Sequence, residues 1–296
     1  MKIEEDIILI AGPTASGKTG IAIEIAQANN AVIFNADSMQ VYRDLRIITA
    51  RPDPEEEAAA SHHLFGYKDA ADIFSVAQWL EDVEPLMLCV LAENRKIVFV
   101  GGTGLYFNAL LNGLSPMPEV NPEVRKRWRN NQTHTEVLHQ ELKNKDPVAA
   151  GKLLSSDRQR IIRALEIFES TGKSIISWQE EKGVSIIPEN IGLKHLLLMP
   201  ERPLLHERIN HRFDLMVEGG GIEEVQKLLR RNLDLSLPAM KAIGVPQISE
   251  YLEGEVSLEE AIEKAKAATR QYAKRQSTWF RNTFDDQWYI LENKFR

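Results

Sequence analysis

The sequence predicts an α/β fold in which helices cover a parallel sheet and a helical domain is inserted into the chain. The first observation is a set of short, β-branched apolar runs at residues 7–11, 31–34 and 97–100. Segments with helical spacing of apolar residues separate these runs, and such alternation is typical of a parallel sheet with helices on its faces. A glycine-rich turn follows the first run directly, at the end of a strand where such sheets bind ligands.

Each element of the first half has its own local signal. Residues 7–11 are continuously apolar, which is typical of a strand buried on both faces of a parallel sheet. Residues 20–28 carry apolar side chains at helical spacing. Residues 74–91 predict a helix with Ser75 as its N-cap, and the third strand ends at Gly101. Strands and helices therefore alternate up to about residue 117.

Three prolines between residues 116 and 122 interrupt this alternation. A long, polar, helical stretch covers 123–154, and the next helix ends at Gly172, a typical C-terminal stop. We therefore predict a helical insertion domain at residues 118–193 and a core formed by residues 1–117 and 194–296. The core is expected to resume with a strand at 196–199 and to continue as helices at 204–217, 222–230 and 258–280.

The composition restricts the class of protein and the kinds of site. The 296 residues are 43% hydrophobic and 27% charged, which argues against disorder and against a coiled-coil rod. The longest apolar run, residues 86–92, is too short to span a membrane, and the acidic N-terminus does not resemble a signal peptide. The single cysteine, Cys89, permits no internal disulfide and no multi-cysteine zinc site. We therefore expect a cytoplasmic protein without a membrane partner.

The glycine-rich turn carries a phosphate-binding motif. The pattern G-x-x-x-x-G-K-[ST] is matched by Gly12, Pro13, Thr14, Ala15, Ser16, Gly17, Lys18 and Thr19. Glycines let backbone N–H groups point inward, and the following helix adds its positive end. Lys18 would bring a cation to the phosphates, and the Thr19 hydroxyl would hold Mg²⁺, the expected cofactor. The fold is therefore predicted to be P-loop NTPase-like.

This motif alone leaves the reaction open. The third strand ends in Gly101-Gly102-Thr103-Gly104, where nucleotide hydrolases usually carry a metal-binding Asp, and an acidic residue instead follows the second strand at Asp37. Asp37 should face the Lys18 loop, because the carboxyl ends of parallel strands line the ligand crevice. It can accept a proton there, while Ser38 and Gln40 can hydrogen-bond a planar base. The alternative is an ordinary polar junction, and both a small-molecule kinase and another pyrophosphate-binding enzyme fit these residues.

Several motifs together resemble the tRNA dimethylallyltransferase family. They are the phosphate-binding motif, Asp37-Ser38-Met39-Gln40-Val41-Tyr42, Gly101-Gly102-Thr103-Gly104-Leu105-Tyr106, the arginine-rich segment 157–166 and the C-terminal block 269–281. The resemblance covers nearly the whole chain, and the C-terminal block is long and specific. Two segments depart from the family pattern: Arg46-Ile47-Ile48 stands where Asp-Ile-Gly is typical, and Gly244-Val245-Pro246 where Gly-Tyr is common.

The resemblance implies an activity and residue roles. The family moves a dimethylallyl group from dimethylallyl pyrophosphate to the N6 amine of the adenine next to the anticodon, position 37 of tRNA. It implies that Asp37 is the general base, that Thr103 positions the reacting groups, and that Arg208 and Arg212 bind pyrophosphate together with the glycine-rich loop. Spacing of four puts both arginines on one helix face. The alternative is a solvated face that forms salt bridges with Glu207 and Asp214. We expect the protein to be a monomer.

The chain has a net charge of −7, so binding of tRNA would require local basic surfaces. Residues 264–284 contain six basic residues and no acidic one, and smaller basic clusters lie at 125–129 and 158–163. The clusters and the resemblance together predict contacts with the tRNA anticodon stem-loop from Asp37, Ser38, Met39, Gln40, Arg129, Gln159, Arg160, Arg163, Lys241, Gly244, Lys274, Arg275, Gln276, Trp279 and Arg281. The target adenine must leave its stack to reach Asp37.

Three other hypotheses compete with a tRNA prenyltransferase. An enzyme that prenylates free adenine nucleotides would need neither the insertion nor a basic C-terminal helix. A small-molecule kinase is opposed by the lack of a recognisable adenine-binding or lid signature. A non-catalytic RNA-binding protein is opposed by the intact Lys18, Thr19 and Asp37.

Overall fold

The computed structural model describes residues 2–291, and a single sheet organises its larger part. The strands found among these residues are β1 (Ile7–Ala11), β2 (Ala31–Asn35), β3 (Ser61–His63), β4 (Lys96–Gly101), β5 (Leu193–Leu198) and β6 (Tyr289–Leu291). Their order is β3-β2-β4-β1-β5-β6, and every neighbouring pair is parallel. The predicted class, a parallel sheet flanked by helices, is therefore confirmed.

Helices account for most of the remaining described residues. They are α1 (Lys18–Asn29), α2 (Pro54–Ala59), α3 (Val76–Ala92), α4 (Gly104–Asn112), α5 (Pro122–Arg129), α6 (Thr135–Lys145), α7 (Pro147–Lys152), α8 (Arg158–Thr171), α9 (Ile175–Gln179), α10 (Arg202–Met216), α11 (Ile222–Leu229), α12 (Val245–Leu252) and α13 (Leu258–Thr283). A π-helical turn, Val217–Gly221, joins α10 to α11. No helix in the described part of the chain is both long and apolar enough to cross a membrane.

Local sequence signals predicted most element positions but not all of them. β1 has the predicted bounds, and Ser75 is the N-cap of α3, where its hydroxyl accepts a hydrogen bond from the Gln78 N–H at 3.3 Å. The helical stretch expected at 123–154 is instead three helices. One break falls at Pro147, because proline cannot continue a helix and disfavours helical backbone in the residue before it. Neither of the three-residue strands, β3 and β6, was predicted, because three residues are too few to show the hydrophobic pattern of a strand.

The strand register brings three loops to one edge of the sheet. β1 is completely buried between β4 and β5. Ala11 pairs with Gly101 of β4 and with Leu197 of β5, and Asn35 of β2 pairs with Val100. Strands β1, β2 and β4 therefore end at the same level, and the loops that follow them lie side by side.

The described residues form two compact units. The first consists of the described parts of residues 1–110 and 186–296, and it contains the sheet. The second, residues 111–185, contains α5 to α9. Its helices enclose their own apolar cluster, which includes the buried side chains of Trp128, Leu142 and Leu165.

Candidate active site

The loop from Gly12 to Thr19 connects β1 to α1 and is shaped by unusual backbone conformations. Ala15 and Gly17 have positive φ angles of 62° and 90°, and a glycine adopts this region without steric cost. Gly12 packs so closely against β5 that a Cβ at this position would lie 2.7 Å from the Leu198 carbonyl oxygen. A curled loop of this kind, followed by a helix N-terminus, is suited to binding an anion.

A backbone carbonyl of the loop holds the Lys18 side chain over it. The ammonium donates to the Pro13 carbonyl at 2.7 Å and reaches the Ser16 hydroxyl at 3.5 Å. Removal from water lowers the pKa of Lys18 to about 7; the Asp37 carboxylate opposes that shift and the Arg212 cation adds to it. A bound anion would restore a higher pKa, because it stabilises the ammonium form.

Arg208 and Arg212 lie one turn apart on α10 and both line the cavity above the loop. The Arg212 guanidinium donates to the Thr14 hydroxyl. Burial lowers the pKa of Arg212 to about 10, and Asp37 opposes this shift, so the side chain stays cationic near neutral pH. The structure thus brings both predicted arginines to the predicted phosphate loop.

The alternative role for this arginine pair was a solvated face with salt bridges to Glu207 and Asp214. Asp214 instead pairs with the Lys266 ammonium of α13 at 2.7 Å. Asp214 therefore does not neutralise the two arginines, and their positive charge is directed toward the cavity.

Asp37 stands in the turn after β2, with one carboxylate oxygen bonded to backbone and the other open. Oδ1 accepts the N–H groups of Met39 at 2.9 Å and Gln40 at 3.4 Å. The Asn35 amide bonds both the N–H and the carbonyl of Asp37, at 2.9 Å each. Within residues 2–291 nothing donates to Oδ2, which lies 3.4 Å from the place a Cβ would take on Gly102. This oxygen can accept a proton.

Thr103 ties the turn after β4 to the Asp37 turn. Its hydroxyl accepts the Ser38 N–H at 3.0 Å and lies 3.3 Å from the Ser38 hydroxyl. The Thr103 N–H donates to the Ala36 carbonyl at 3.3 Å. The two turns approach closely because Gly101 has no side chain: a Cβ there would lie only 2.0 Å from the Ala36 oxygen. The predicted positioning residue is therefore beside the predicted base.

Helix α13 braces these loops with a buried amide. Gln276 is 7% exposed; its Oε1 accepts the Thr14 N–H at 2.9 Å, and its Nε2 donates to the Gly102 carbonyl at 2.8 Å. The Trp279 ring packs directly over Gly104, where a Cβ would lie only 2.1 Å from the ring. Both residues were predicted to contact tRNA; the structure uses them for internal contacts, and the tRNA role stays a prediction.

Tyr272, one turn before Gln276, was not predicted as a site residue. Burial together with the Asp37 charge raises the pKa of its phenol, while the side chains of Thr103 and Gln276 act in the opposite direction. The signal was present, because Tyr272 belongs to the C-terminal block 269–281. It was missed because nothing in that block indicates which helix face meets the sheet.

Two cavities meet at Asp37. The phosphate cavity, about 330 Å³, is lined by loop residues 14–20, Arg208, Arg212 and Asp37. The apolar cavity, about 340 Å³, has an apolar wall that includes Met39, Ile48, Ile209, Phe213, Met216 and Ile243. Four residues line both cavities: Thr14, Asp37, Thr49 and Arg212. Most of the apolar wall was not predicted, because apolar residues in helices and loops carry no motif.

The predicted basic face of α13 is partly neutralised within the protein. Lys264 pairs with Glu250 at 2.9 Å, Lys266 pairs with Asp214, and Arg270 donates to the Asn210 side chain at 2.5 Å. The three other basic side chains, Lys274, Arg275 and Arg281, are exposed. The basic surface on this helix is therefore narrower than the sequence suggests, and it lies toward the C-terminal end.

In the second unit, two of the predicted tRNA-binding arginines share one buried carboxylate. Glu166 is 1% exposed and pairs with Arg129 at 2.9 Å and with Arg163 at 3.4 Å. Gln159 and Arg160 are exposed. Arg129 and Arg163 thus help to neutralise a buried charge, although Arg129 itself is exposed, as Gln159 and Arg160 are.

The two segments that depart from the family pattern contact each other. Ile48 packs on Gly244, where a Cβ would lie 2.9 Å from the Ile48 Cγ2 atom, and Gly244 has a positive φ of 106°. Lys241, predicted to contact tRNA, is exposed and lines the apolar cavity, whereas Gly244 is buried.

Comparison with known proteins agrees with this geometry. The family model "IPP transferase" matches residues 40–283, and the model "Isopentenyl transferase" matches residues 5–64. A tRNA dimethylallyltransferase of Rhizobium meliloti is 50% identical over 290 residues, which are 97% of this chain and 95% of that protein. The tRNA isopentenylpyrophosphate transferase of Bacillus halodurans superposes with a TM-score of 0.70 at 36% identity, over 98% of this chain and 90% of that one. A eukaryotic dimethylallyltransferase acting on tRNA gives a TM-score of 0.80 at 26% identity, over 98% and 74%.

Proposed function

This chain belongs to the tRNA dimethylallyltransferase family, and from that premise we propose that it transfers a dimethylallyl group from dimethylallyl pyrophosphate to N6 of adenine 37 in tRNA, releasing pyrophosphate. The observation that carries the proposal is the position of Asp37 at the border of the phosphate cavity and the apolar cavity. A donor with an anionic head and a short apolar tail fits across that border, with its reacting carbon near the carboxylate.

The phosphate cavity supplies what the donor's head requires. Lys18, Arg208 and Arg212 bring cationic side chains to one side of a curled backbone loop. Groups of this kind neutralise the charge that builds up on pyrophosphate as it leaves, and in a preorganised site they do so without reorganisation. The apolar wall, with Ile48, Phe213 and Met216 among its members, suits the dimethylallyl tail and the face of an adenine.

Asp37 would remove the proton from the acceptor. An adenine amine is a poor nucleophile, because its lone pair is delocalised into the ring, so it needs a base and close approach to the donor carbon. In the transfer the N6–C1 bond forms, the C1–O bond breaks, the oxygen keeps the electron pair, and one N6 proton passes to Asp37. The open Oδ2 atom supports this role, since Oδ1 is already bonded to Met39 and Gln40.

Mg²⁺ is the proposed cofactor, and the residues present suit it. The Thr19 hydroxyl lines the same cavity as the cationic groups, and a hydroxyl oxygen, with phosphate and water, is a ligand that Mg²⁺ takes. Residues 2–291 contain no cluster of three or more His, Cys, Asp or Glu that could hold a metal. The Thr19 hydroxyl suits an ion bound jointly with pyrophosphate, and such an ion would add to the charge neutralisation there.

The exposed basic residues at the end of α13 support tRNA as the acceptor. Lys274, Arg275 and Arg281 could contact the phosphate backbone of an anticodon stem-loop, and a mononucleotide acceptor would not need them. We also propose that one chain suffices, because residues of one chain line both cavities.

Incubation with labelled dimethylallyl pyrophosphate, Mg²⁺ and tRNA that lacks the modification tests the proposal. Label is expected on adenine 37 and on no other nucleotide, with release of pyrophosphate. Parallel reactions with AMP and ADP as acceptors separate a tRNA enzyme from one acting on free nucleotides. Transfer of the γ-phosphate of ATP to an acceptor, without any prenyl transfer, would show that the proposal is wrong.

A further inference from the structure

Glu224, in the first turn of α11, binds three consecutive backbone N–H groups of a distant turn. Its Oε2 accepts from Arg46 at 2.7 Å and from Ile47 at 2.9 Å, and its Oε1 accepts from Ile48 at 2.9 Å. Hydrogen bonds to an ionised carboxylate are roughly twice as strong as neutral ones. Glu224 belongs to none of the motifs described above, yet it anchors residues 46–48 to the helix that follows α10.

The other end of the same turn is bonded to Gln40. Its side-chain Nε2 donates to the carbonyls of Thr49 at 2.9 Å and Ala50 at 2.8 Å. The Gln40 N–H donates in turn to Asp37 Oδ1 at 3.4 Å. Hydrogen bonds at both ends of the turn, together with the covalent backbone of residues 46–50 and the Gln40 residue, therefore connect Glu224 to the carboxylate of Asp37.

The turn is also a wall of both cavities. Ile48 lines the apolar cavity, Ala50 lines the phosphate cavity, and Thr49 lines both. Movement of this turn would change the space offered to the donor and the orientation of Asp37 together. Misplacement of reacting groups by about 1 Å can cost about 10²-fold in rate.

We propose that Glu224 is a positioning residue for the transfer reaction, acting through the 46–50 turn and Gln40 on Asp37. This inference rests on the proposed function. In this proposal Glu224 touches no reacting atom. Its carboxylate fixes the position of the 46–50 turn, and the turn fixes the position of the residues that line the two cavities.

The test compares Glu224→Gln with Glu223→Gln. The amide keeps one acceptor oxygen, but it loses the charge and places a donor NH₂ against backbone N–H groups. Glu223 is exposed in the same first helical turn, so its variant makes the same change in charge near the helix N-terminus. Single-turnover transfer at saturating donor and tRNA is expected to fall about 10- to 100-fold in Glu224→Gln. Donor and tRNA affinities should stay within about threefold, and Glu223→Gln should match the wild type.

Two further variants separate positioning from a general loss of folding. Glu224→Asp keeps the charge at shorter reach and should recover part of the transfer rate. Gln40→Leu breaks the same connection at its other end, so its effect and that of Glu224→Gln should be clearly less than additive when combined. Additive effects in that cycle, with rates that follow only the loss of thermal stability, would overturn the inference.

The activity of the wild type separates a failure of the positioning role from a failure of the proposed function. An active wild type with an equally active Glu224→Gln overturns the positioning role and leaves the proposed function intact. A wild type that transfers no dimethylallyl group overturns both.

Discussion

Gln276 accepts a hydrogen bond from the backbone N–H of Thr14 at 2.9 Å, although 262 positions separate the two residues in the sequence. The same amide donates to the Gly102 carbonyl at 2.8 Å. One side chain of α13 therefore joins the loop after β1 to the loop after β4. The shape of the phosphate cavity depends on a residue near the end of the chain.

Gln276→Leu should weaken both the fold and the donor site. The substitution leaves two backbone polar groups without their partner, which costs about 1–3 kcal/mol for each that stays buried. Urea unfolding should show the lost stability, and equilibrium binding should show weaker donor affinity. Gln271→Leu on the exposed face of the same helix is the matched control and should change neither. Equal donor affinity in the two variants would contradict the bracing role.

Asp37→Asn should slow chemistry far more than binding. The amide keeps the size and one acceptor oxygen but removes the basicity, and general-base assistance is typically worth about 10²–10⁴ in rate. We expect single-turnover transfer to fall at least about a hundredfold, with tRNA affinity changed much less. A structural Asp37 would instead show as a lower melting temperature, and a metal-binding Asp37 as lost Mg²⁺-dependent donor binding. Near-wild-type transfer would exclude the base assignment.

Donor affinity should fall as pH rises through neutrality. The pKa of Lys18 in the free protein is about 7, so the ammonium is present below that pH and is mostly lost above it. The bound, anionic donor raises this pKa, so binding above pH 7 takes up a proton and weakens by at most about tenfold per pH unit. Calorimetry in two buffers of different ionisation enthalpy measures that uptake.

Lys18→Arg is the control for this pH dependence. Arginine remains charged over the whole range, so only the donor's own titration is left. The slope of donor affinity against pH should therefore be smaller in the variant than in the wild type. Identical slopes would mean that Lys18 does not titrate on binding.

Lys274→Ala should reduce the salt dependence of tRNA binding, whereas Lys264→Ala on the same helix should not. Both lysines are exposed, but Lys264 is paired with Glu250 at 2.9 Å and Glu260 at 3.6 Å, whereas Lys274 forms no ion pair within residues 2–291. Each phosphate contact that is lost lowers the slope of log affinity against log salt by up to about one. Filter binding at several salt concentrations gives the slopes. Equal slopes for the two variants would remove this end of α13 from the interface.

The sequence by itself determined the parallel sheet, the phosphate loop and the residues at its strand ends. Those features depend on local rules: a β-branched run such as residues 7–11 favours a strand, and Gly17 permits the positive φ angle that the loop needs. Since parallel strands end at one edge, the sequence also predicted that Asp37 faces the Lys18 loop.

Only the tertiary structure decided what surrounds those residues. The wall formed by Phe213 and Met216, the Gln276 brace and the Glu224 contact all join segments far apart in the chain. The same is true of Lys266, which appears in the sequence as part of a basic face and is buried against Asp214. Such contacts depend on which face of α10, α11 or α13 meets the rest of the protein. Helical periodicity marks an apolar stripe, but it does not specify the partner that the stripe or its polar neighbours will meet.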